Sequence, residues 1–278
     1  QWIKEREHMD KLVQKIEKVA SETQFSGVIS LFIDTFPLFN KAFGYRDTKN
    51  YLPNTTDTIF GIASGTKFFT AVGIGVLIDR GVLSLDTTMG EISREFSGFI
   101  DGNATIKHLL THTSGIYDYY DEEIEQDFES FSTGIPWYEL ETPSDYYPLF
   151  TNHAMKYHPG ERYSYSNGGY VFLGILIEKL TGALYRDFMH EYVLQPAGMH
   201  RSGFYSFNDL PENTANGYLA DKRTTNIYQL PLRGGGDGGL YTTTEDLRVF
   251  WDAWFSTRIL SAGLTTMYME THHVLNAT

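Results

Sequence analysis

The chain has 278 residues, of which 41% are hydrophobic, so it is long enough for one large core, or for a core plus an inserted subdomain. It contains no cysteine, which excludes disulfides, thiolate metal sites and cysteine nucleophiles. Its formal net charge of -13 argues against nucleic acid or an anionic membrane as a partner, because binding either one requires a basic face.

The first twenty residues predict an amphipathic helix, because apolar residues recur there at spacings of three and four. These residues are Met9, Leu12, Val13, Ile16 and Val19. Residues 26–34 and 39–45 then read as two paired strands. The sequence starts without a secretory signal, and no stretch of it is long and apolar enough to span a bilayer. We therefore interpret its start as that of a mature or engineered chain, with no transmembrane segment.

A hydroxyl and an amine follow, one helical turn apart. Ser64 and Lys67 stand between an apolar lead-in at 59–63 and an apolar run at 68–78, which is typical of a helix buried on every side. Residues three apart share a helix face, so the Lys67 amine can reach the Ser64 hydroxyl. Burial disfavours the charged form of a lysine, so Lys67 can take the serine proton. The ordinary alternative is an N-cap serine beside a lysine that reaches solvent.

The segment between Lys107 and Lys156 has no lysine or arginine, and it interleaves acidic with aromatic residues. It lacks clean periodicity over about 117–148, so we expect short helices and loop there. His108 and His112 lie four apart, but no third ligand is evident, and we expect no metal site.

A second polar motif, Tyr165-Ser166-Asn167, leads into a helix predicted over 168–180, which Gly182 would end. Tyr165 is a candidate proton carrier if Lys67 supplies positive charge; otherwise it is a packed tyrosine with a satisfied hydroxyl. Asn167 suits contact with an amine and also suits a helix N-cap. The glycine-rich run at 234–239 lacks the Gly-Lys-Ser/Thr of a phosphate-binding loop.

Taken in this order, the motifs resemble those of the serine β-lactamase and penicillin-binding-protein superfamily, in its class-C-like branch of D,D-peptidases, D-aminopeptidases and esterases. The resemblance touches nearly the whole chain. The segments that carry it are 25–28, 42–45, 64–67, 81–86, 106–115, 159–160, 165–167, 194–199 and 238–247.

The resemblance implies an α/β (α+β) fold of the β-lactamase/transpeptidase-like type. In this fold an antiparallel sheet built from the chain ends is flanked by helices, and a mostly helical region is inserted between those ends. We expect one catalytic domain over residues 1–278. Its sheet side would comprise 1–60 and about 240–278, and its mostly helical portion about 61–239.

The resemblance also implies roles for single residues. Ser64 would be the nucleophile that forms an acyl-enzyme, and its N–H would supply half of the oxyanion hole. Lys67 and Tyr165 would move protons, and the choice of base between them stays open because the two groups are coupled. Asn167 would hold the Lys67 amine and bind the substrate amide, and Gly239 would border the substrate. No metal or cofactor is required.

One motif of the superfamily is not found: Lys or His, any residue, then Gly, on a strand facing the serine. The sole match, His158-Pro159-Gly160, precedes Tyr165, and its proline has no N–H to donate. After Gly239 there is no lysine, and the histidines are residues 272 and 273. We therefore expect the closing strands to be missing and the chain as given to be poorly active, since losing an oxyanion donor typically costs about 10²–10³ in rate.

These observations predict a penicillin-binding-protein-like serine hydrolase acting on an amide or ester carbonyl, foremost a D,D-carboxypeptidase or related peptidase. A carboxylesterase or β-lactamase of the same family is the alternative, and a catalytically silent penicillin-recognising sensor or scaffold is the alternative of another class. The expected partner is a small-molecule or peptide substrate, such as a peptidoglycan peptide or a β-lactam. The expected location is the bacterial cell envelope or the exterior, with the cytosol as the alternative.

One further hypothesis concerns the acidic, aromatic segment, which in the layout of the superfamily falls near the cleft entrance. It would repel polyanions and stack flat or apolar ligands there. The alternative is an ordinary solvated acidic surface.

Overall fold

The computed structural model describes residues 2–272, with side chains from residue 9 onward. Helices make up most of the regular structure. They are α1 (Trp2–Glu22), α2 (Thr66–Asp79), α3 (Met89–Ile92), α4 (Ile106–Leu110), α5 (Tyr147–Thr151), α6 (Asn167–Thr181), α7 (Tyr185–Met189), α8 (Gln195–Ala197), α9 (Thr244–Phe255) and α10 (Ala262–Tyr268). A π-helical turn, His190–Leu194, joins α7 to α8. Short 3-10 turns lie at Ala63–Gly65, Arg94–Gly98, Trp137–Glu139, Pro143–Tyr146 and Asn226–Gln229.

The strands form antiparallel pairs. They are β1 (Gly27–Ile33) with β2 (Phe36–Phe43), β3 (Tyr45–Asp47) with β4 (Leu52–Pro53), and β5 (Phe60–Gly61) with β6 (Tyr241–Thr242). The β5–β6 pair joins parts of the chain that are far apart in sequence, with Phe60 opposite Thr242. A second contact between distant parts of the chain joins β1 to α9: the Ser30 hydroxyl lies 3.0 Å from the hydroxyl of Thr244, the first residue of α9. The structure is thus of the mixed α/β class, with small antiparallel sheets.

The buried core is centred on α2 and α6, as their apolar sequences predict. Helix α2 packs against α6, α7 and the π-helical turn. Its two interior glycines permit this close approach: a Cβ at Gly73 would lie 2.7 Å from the Met189 sulfur, and one at Gly75 would lie 2.8 Å from Leu260. The ring of Phe69 on α2 packs on Phe250 of α9, with centroids 4.8 Å apart. Helix α2 is therefore a rigid support for whatever stands at its first turn.

The predicted boundaries agree closely for the long elements, but the predicted packing face of α1 is only partly correct. Helix α6 ends as expected at Gly182, which has a φ of 70° and donates its N–H to the Glu178 carbonyl. In α1, by contrast, Leu12 and Val19 are exposed, whereas Ala20 is buried. The packed stripe thus comprises Met9, Val13 and Ile16, as predicted, together with Ala20, and Leu12 and Val19 lie outside it.

In the part of the chain that the structure describes, no helix combines the length and the apolar character needed to cross a membrane.

Candidate active site

Ser64 lies on an exposed turn that the surrounding backbone fixes in place. It follows β5 directly and occupies the 3-10 turn that leads into α2. The N–H of Ile62 donates to the Leu240 carbonyl at 2.9 Å, and the Leu240 N–H donates to the Thr66 hydroxyl at 2.9 Å. Ala63 has a φ of 45°, a left-handed conformation that is uncommon for a residue with a side chain. Such strain persists where the surrounding structure imposes it, and it is frequent at functional sites.

Lys67 is buried beside Ser64, and all of its donors are satisfied. Its ammonium nitrogen donates to the Ser64 hydroxyl at 3.1 Å, to the Asn167 amide oxygen at 2.7 Å and to the Asp237 backbone carbonyl at 2.7 Å. Three donors meet three acceptors, which is the complement of a charged amine. These acceptors lie at the start of α2, at the start of α6 and in the glycine-rich run, so Lys67 holds three parts of the chain together.

Asn167 is the first residue of α6, and its side chain does not cap the helix but points to the site. The N-cap is Ser166, whose hydroxyl accepts from the Gly169 N–H at 2.9 Å, so the N-cap alternative for Asn167 is wrong. The Asn167 amide nitrogen donates to the Tyr120 carbonyl at 3.0 Å and to the Glu122 carboxylate at 3.4 Å. With its nitrogen directed at two acceptors, the amide presents its oxygen to Lys67.

A buried carboxylate that the sequence analysis missed, Asp118, holds the first turn of α6. It accepts from the Asn167 N–H at 2.9 Å and from the Gly168 N–H at 2.8 Å. Burial raises the pKa of Asp118 to about 7, while these N–H groups act in the opposite direction. Gly168 has to be small here, because a Cβ would lie 2.4 Å from the Tyr117 carbonyl. Asp118 therefore fixes the backbone that carries Asn167.

Tyr165 lies over Lys67, with the centre of its ring 4.9 Å from the amine nitrogen, a cation–π contact. The Tyr165 ring also packs against the ring of His112, and the centres of these two rings are 4.7 Å apart. His112 also accepts from the Ser166 N–H through Nδ1 at 3.0 Å. Within residues 9–272, no hydrogen bond joins the Tyr165 hydroxyl to Ser64 or Lys67. The structure thus brings Tyr165 to the amine by its ring.

The glycine-rich run at 234–239 is a wall of the site. The Thr70 hydroxyl donates to the Gly236 carbonyl at 2.6 Å, and the Tyr119 hydroxyl donates to the Asp237 carboxylate at 2.6 Å. Burial, reinforced by the charge of Asp237, raises the pKa of Tyr119 well above its ordinary value, so that hydroxyl stays a donor. Gly239 has a φ of 87° and lines the cavity beside Ser64.

A cavity of about 420 Å³ opens next to these residues. Ser64, Asn167 and Gly239 all lie in its wall, together with aromatic side chains of the acidic segment. These aromatic residues are Tyr119, Tyr120, Phe128, Phe131 and Trp137. Cavities of this size and apolar character are typical of small-molecule sites.

Two basic residues, both in the irregular stretch before Tyr165, anchor the acidic segment to that stretch. The Lys156 amine contacts Asp121 at 2.6 Å and the Ser164 hydroxyl at 2.9 Å. Arg162 pairs with Glu123 at 2.9 Å, and this bond is the main reason why the pKa of Glu123 falls to about 2. The segment is thus held against the site in spite of its own excess of negative charge.

The two histidines with a spacing of four have structural partners in the fold. Nδ1 of His108 accepts from the Thr105 N–H at 3.2 Å in the cap of α4, and Nδ1 of His112 is occupied by Ser166. Among the residues that the structure describes, no group of three or more histidine or acidic side chains is arranged to hold a metal ion. His273 lies outside the described residues.

The geometry therefore brings together Ser64, Lys67 and Asn167 by hydrogen bonds, Tyr165 by its ring and Gly239 in the cavity wall. Sequence reasoning missed Asp118, Asp237 and Glu122. The first two act on or through backbone groups, and a pattern of side-chain types does not reveal such contacts. Glu122 could have been found from its place in the acidic segment, which the sequence analysis had put near the cleft entrance.

Comparisons with known proteins agree over most of the chain. A family model described as Beta-lactamase matches residues 9–274. Penicillin-binding protein 4* of Bacillus subtilis (strain 168) is 30% identical over 273 residues, which cover 92% of this chain and 57% of that protein. A putative penicillin-binding protein, PbpX, of the same strain is 29% identical over 253 residues, covering 89% and 59%. The chain thus spans a little over half the length of these curated relatives.

Solved structures of related proteins also match this chain over most of its length. A penicillin binding protein from Bacillus halodurans is similar with a TM-score of 0.87 and 38% identity, covering 94% of this chain and 80% of that one. D-amino acid amidase from Ochrobactrum anthropi SV3, complexed with D-phenylalanine, is similar with a TM-score of 0.73 and 25% identity, covering 93% and 74%.

Proposed function

The chain belongs to the beta-lactamase family, and on this premise we propose that it is a serine hydrolase in which Ser64 attacks an amide or ester carbonyl. The observation that carries the proposal is the hydrogen-bonded set around the buried amine: Ser64 at 3.1 Å and Asn167 at 2.7 Å from the Lys67 nitrogen. A serine hydroxyl is a weak nucleophile, and an adjacent base that accepts its proton is what activates it.

The proposed reaction has two steps. In the first, the Ser64 oxygen bonds to the carbonyl carbon and its proton passes to Lys67 in the neutral amine form, or to Tyr165 in the phenolate form, while the Ser64 N–H stabilises the developing oxyanion. The leaving amine or alcohol then takes up a proton as its bond to the carbonyl carbon breaks, which leaves an acyl-enzyme. In the second step, water attacks this ester and restores Ser64. Asn167 keeps Lys67 in place throughout, and Gly239 borders the substrate.

For the substrate, we favour a D,D-carboxypeptidase or related peptidase activity on a peptide such as that of peptidoglycan. The penicillin-binding relatives support this choice, and they also support a site in the cell envelope. A carboxylesterase or a β-lactamase of the same family uses the same first step. Fold and family membership do not fix the substrate.

The test is the intact mass of the protein after brief exposure to a penicillin and, separately, to a p-nitrophenyl ester. We expect the mass to increase by one acyl group in the natural chain and to stay unchanged in Ser64→Ala. Lys67→Met should slow acylation about 10²–10⁴-fold, because a proton acceptor is lost. Lys179→Met is the matched control, since that lysine pairs with Glu95 on the surface.

Each result selects one of the alternatives. A long-lived penicillin adduct supports the penicillin-binding type, and a short-lived one supports a β-lactamase. Reaction with the ester alone supports a carboxylesterase. If neither reagent labels Ser64, the hydrolase proposal is wrong and the catalytically silent module takes its place.

A further inference from the structure

Asp118 is a buried carboxylate that is held without a cation. The residue is 3% exposed, and it accepts from the N–H groups of Asn167 at 2.9 Å, Gly168 at 2.8 Å and Tyr120 at 3.3 Å. Within residues 9–272 no basic side chain forms an ion pair with it. Because an unpartnered charge is costly to bury, these three N–H groups are what retain the carboxylate.

Two of these donors belong to the first turn of α6. The first N–H groups of a helix have no partner inside the helix. Here Asp118 accepts from the first two, and the Ser166 hydroxyl accepts from the third, that of Gly169. A negative charge at this end also interacts favourably with the helix dipole. The backbone from which the Asn167 side chain projects is therefore fixed.

The third donor links Asp118 to the orientation of the Asn167 amide. Tyr120 donates its N–H to Asp118, and its carbonyl accepts from the Asn167 amide nitrogen at 3.0 Å. With the nitrogen used in this way, the amide oxygen faces the Lys67 ammonium at 2.7 Å. The reverse orientation would put the amide nitrogen, a donor, against an ammonium that has only donors. Asp118 thus acts on Asn167 twice, through its backbone and through its side chain.

Charged groups approach this arrangement from several elements. The glycine-rich run contributes Asp237, whose charge acts on Asp118. Helix α2 contributes the Lys67 ammonium, which is bonded to the amide oxygen of Asn167, and the acidic segment contributes Glu122, which accepts from the nitrogen of the same amide at 3.4 Å. The first turn of α6 has no charged side chain.

The proton affinity of Asp118 makes this arrangement sensitive to pH. Burial, reinforced by the charge of Asp237, raises the pKa of Asp118 to about 7. The adjacent phenols of Tyr117 and Tyr119 stay neutral, because burial and nearby carboxylates raise their pKa values. A protonated carboxyl is a weaker acceptor and carries a donor of its own, so the three N–H contacts weaken together when a proton binds.

From these contacts we propose that Asp118 is a positioning residue for the reaction at Ser64: its ionised carboxylate keeps the Asn167 amide oxygen on Lys67, and protonation of that carboxylate releases the alignment. This inference rests on the proposed function, because it takes Ser64 and Lys67 as the reacting pair. Asp118 does not line the cavity, so it acts through Asn167 and not by contact with the substrate.

Amide resonances test the alignment without any reaction. NMR spectra of the isotope-labelled natural chain would follow the N–H groups of Asn167 and Gly168 and the side-chain amide of Asn167 between about pH 5.5 and 8.5. We expect all three to shift with one midpoint near pH 7, which Asp118→Asn should abolish. The matched control is Asp246→Asn, which alters another buried aspartate that accepts from a backbone N–H, that of Arg201, and it should keep the midpoint.

The rate of acylation tests the positioning role. Reaction of Ser64 with a p-nitrophenyl ester at a series of concentrations separates the saturating rate from the apparent affinity for the ester. Below the midpoint, the saturating rate of the natural chain should fall by a further factor of about ten for each pH unit, because only the ionised form is aligned. At about pH 8, Asp118→Asn should lower this rate at least about tenfold, lose the inflection and leave the apparent affinity unchanged. Asp246→Asn should behave as the natural chain does.

Several results would overturn the inference. They are resonances of Asn167 and Gly168 that share no midpoint, a folded Asp118→Asn that reacts at the natural rate, and a variant that loses affinity but keeps the saturating rate. If Asp118→Asn does not fold, the natural chain decides: one midpoint for resonances and rate supports the inference, and different midpoints refute it. A natural chain that is never acylated would instead refute the hydrolase proposal, because the resonances report on Asn167 whether or not Ser64 reacts.

Discussion

His112 holds the short segment that carries Tyr165 and Asn167. Its Nδ1 accepts from the Ser166 N–H, its backbone carbonyl accepts from the Ser164 N–H at 2.9 Å, and its ring packs on Tyr165. Burial lowers the pKa of His112 to about 4, and the positive charge of Lys67 acts in the same direction. A neutral imidazole is the form that can accept at Nδ1, so the contact with Ser166 requires the unprotonated ring.

This contact predicts a pH dependence of stability. From pH 6.5 down to about 4, the unfolded chain protonates His112 while the folded chain does not, so folding becomes less favourable as the pH falls. The full shift corresponds to roughly 3 kcal/mol. Urea unfolding of the natural chain and of His112→Gln at pH 7, 5.5 and 4.5 should show the advantage of the natural chain shrinking toward low pH. His200→Gln, at an exposed histidine, is the control. A constant difference between the natural chain and His112→Gln at all three pH values would contradict this account.

The residue scale also shows what the sequence could predict. Ser64 ends up in a 3-10 turn that runs straight into α2, and Lys67 lies three positions on in the first turn of α2, so their contact follows from helical geometry alone. Asn167 lies 100 positions from Lys67, and its place in the site could be inferred only through the family resemblance. Asp237 touches Lys67 through its backbone carbonyl, a group that every residue has, and no pattern of side chains could have identified it.

At the scale of elements, the site depends on how closely α6 and the glycine-rich run approach each other. A Cβ at Gly236 would lie 2.1 Å from the Tyr170 carbonyl and 3.3 Å from the Gly174 nitrogen, both of them backbone atoms of α6. The same stretch presents the Asp237 carbonyl to Lys67. Any displacement of the run from α6 would therefore also disturb the amine.

We expect Gly236→Ala to destabilise the protein by about 1–3 kcal/mol or more, since rigid backbone on α6 leaves no room for the methyl group. The matched control is Gly235→Ala, whose added methyl would lie at an ordinary 3.5 Å from Pro143 and should change stability by less than about 0.5 kcal/mol. Thermal unfolding of both variants measures the difference, and acylation of Ser64 should slow in Gly236→Ala. Equal melting temperatures for the two variants would show that the run is not pressed against α6.

The elements differed in how well the sequence predicted them. Helices α2 and α6 are apolar on nearly all sides and have clear ends, so their bounds followed from pattern and capping. In α1 the existence of the helix was predicted correctly but part of its packed face was not, because apolar residues occur on more than one stripe and tertiary contacts select among them. The acidic segment has no period, and its position is set by tertiary contacts of Lys156 and Arg162.

For the whole molecule, the fold prediction is confirmed: a β-lactamase/transpeptidase-like arrangement of helices with small antiparallel sheets. The membership of the family, inferred from motifs spread over the chain, is confirmed as well. The division into a sheet side at 1–60 and about 240–278 and a mostly helical portion between them stays a prediction.

The net charge of -13 and the position of the acidic segment at the cavity predict electrostatic steering of substrates. The value of kcat/KM for a cationic ester should fall several-fold as ionic strength rises from about 0.01 to 0.15 M, and that for an anionic ester should rise. Glu125→Lys should weaken both trends, whereas Glu270→Lys, outside the segment, should not. Glu123 is unsuitable for this test because it pairs with Arg162. Identical salt profiles for the natural chain and Glu125→Lys would favour an ordinary solvated surface.

The three contacts of the Lys67 amine also set the direction in which a proton can move. A neutral amine keeps two N–H bonds and gains a lone pair, so one of its three partners has to become a donor. The Asn167 amide oxygen and the Asp237 carbonyl can only accept, whereas the Ser64 hydroxyl can also give its hydrogen. The two N–H bonds of the uncharged amine are therefore used by the Asn167 and Asp237 oxygens, and its lone pair is left to accept from the Ser64 hydroxyl. In this way two oxygens that do not contact Ser64 determine that Ser64 is the group from which the amine can take a proton.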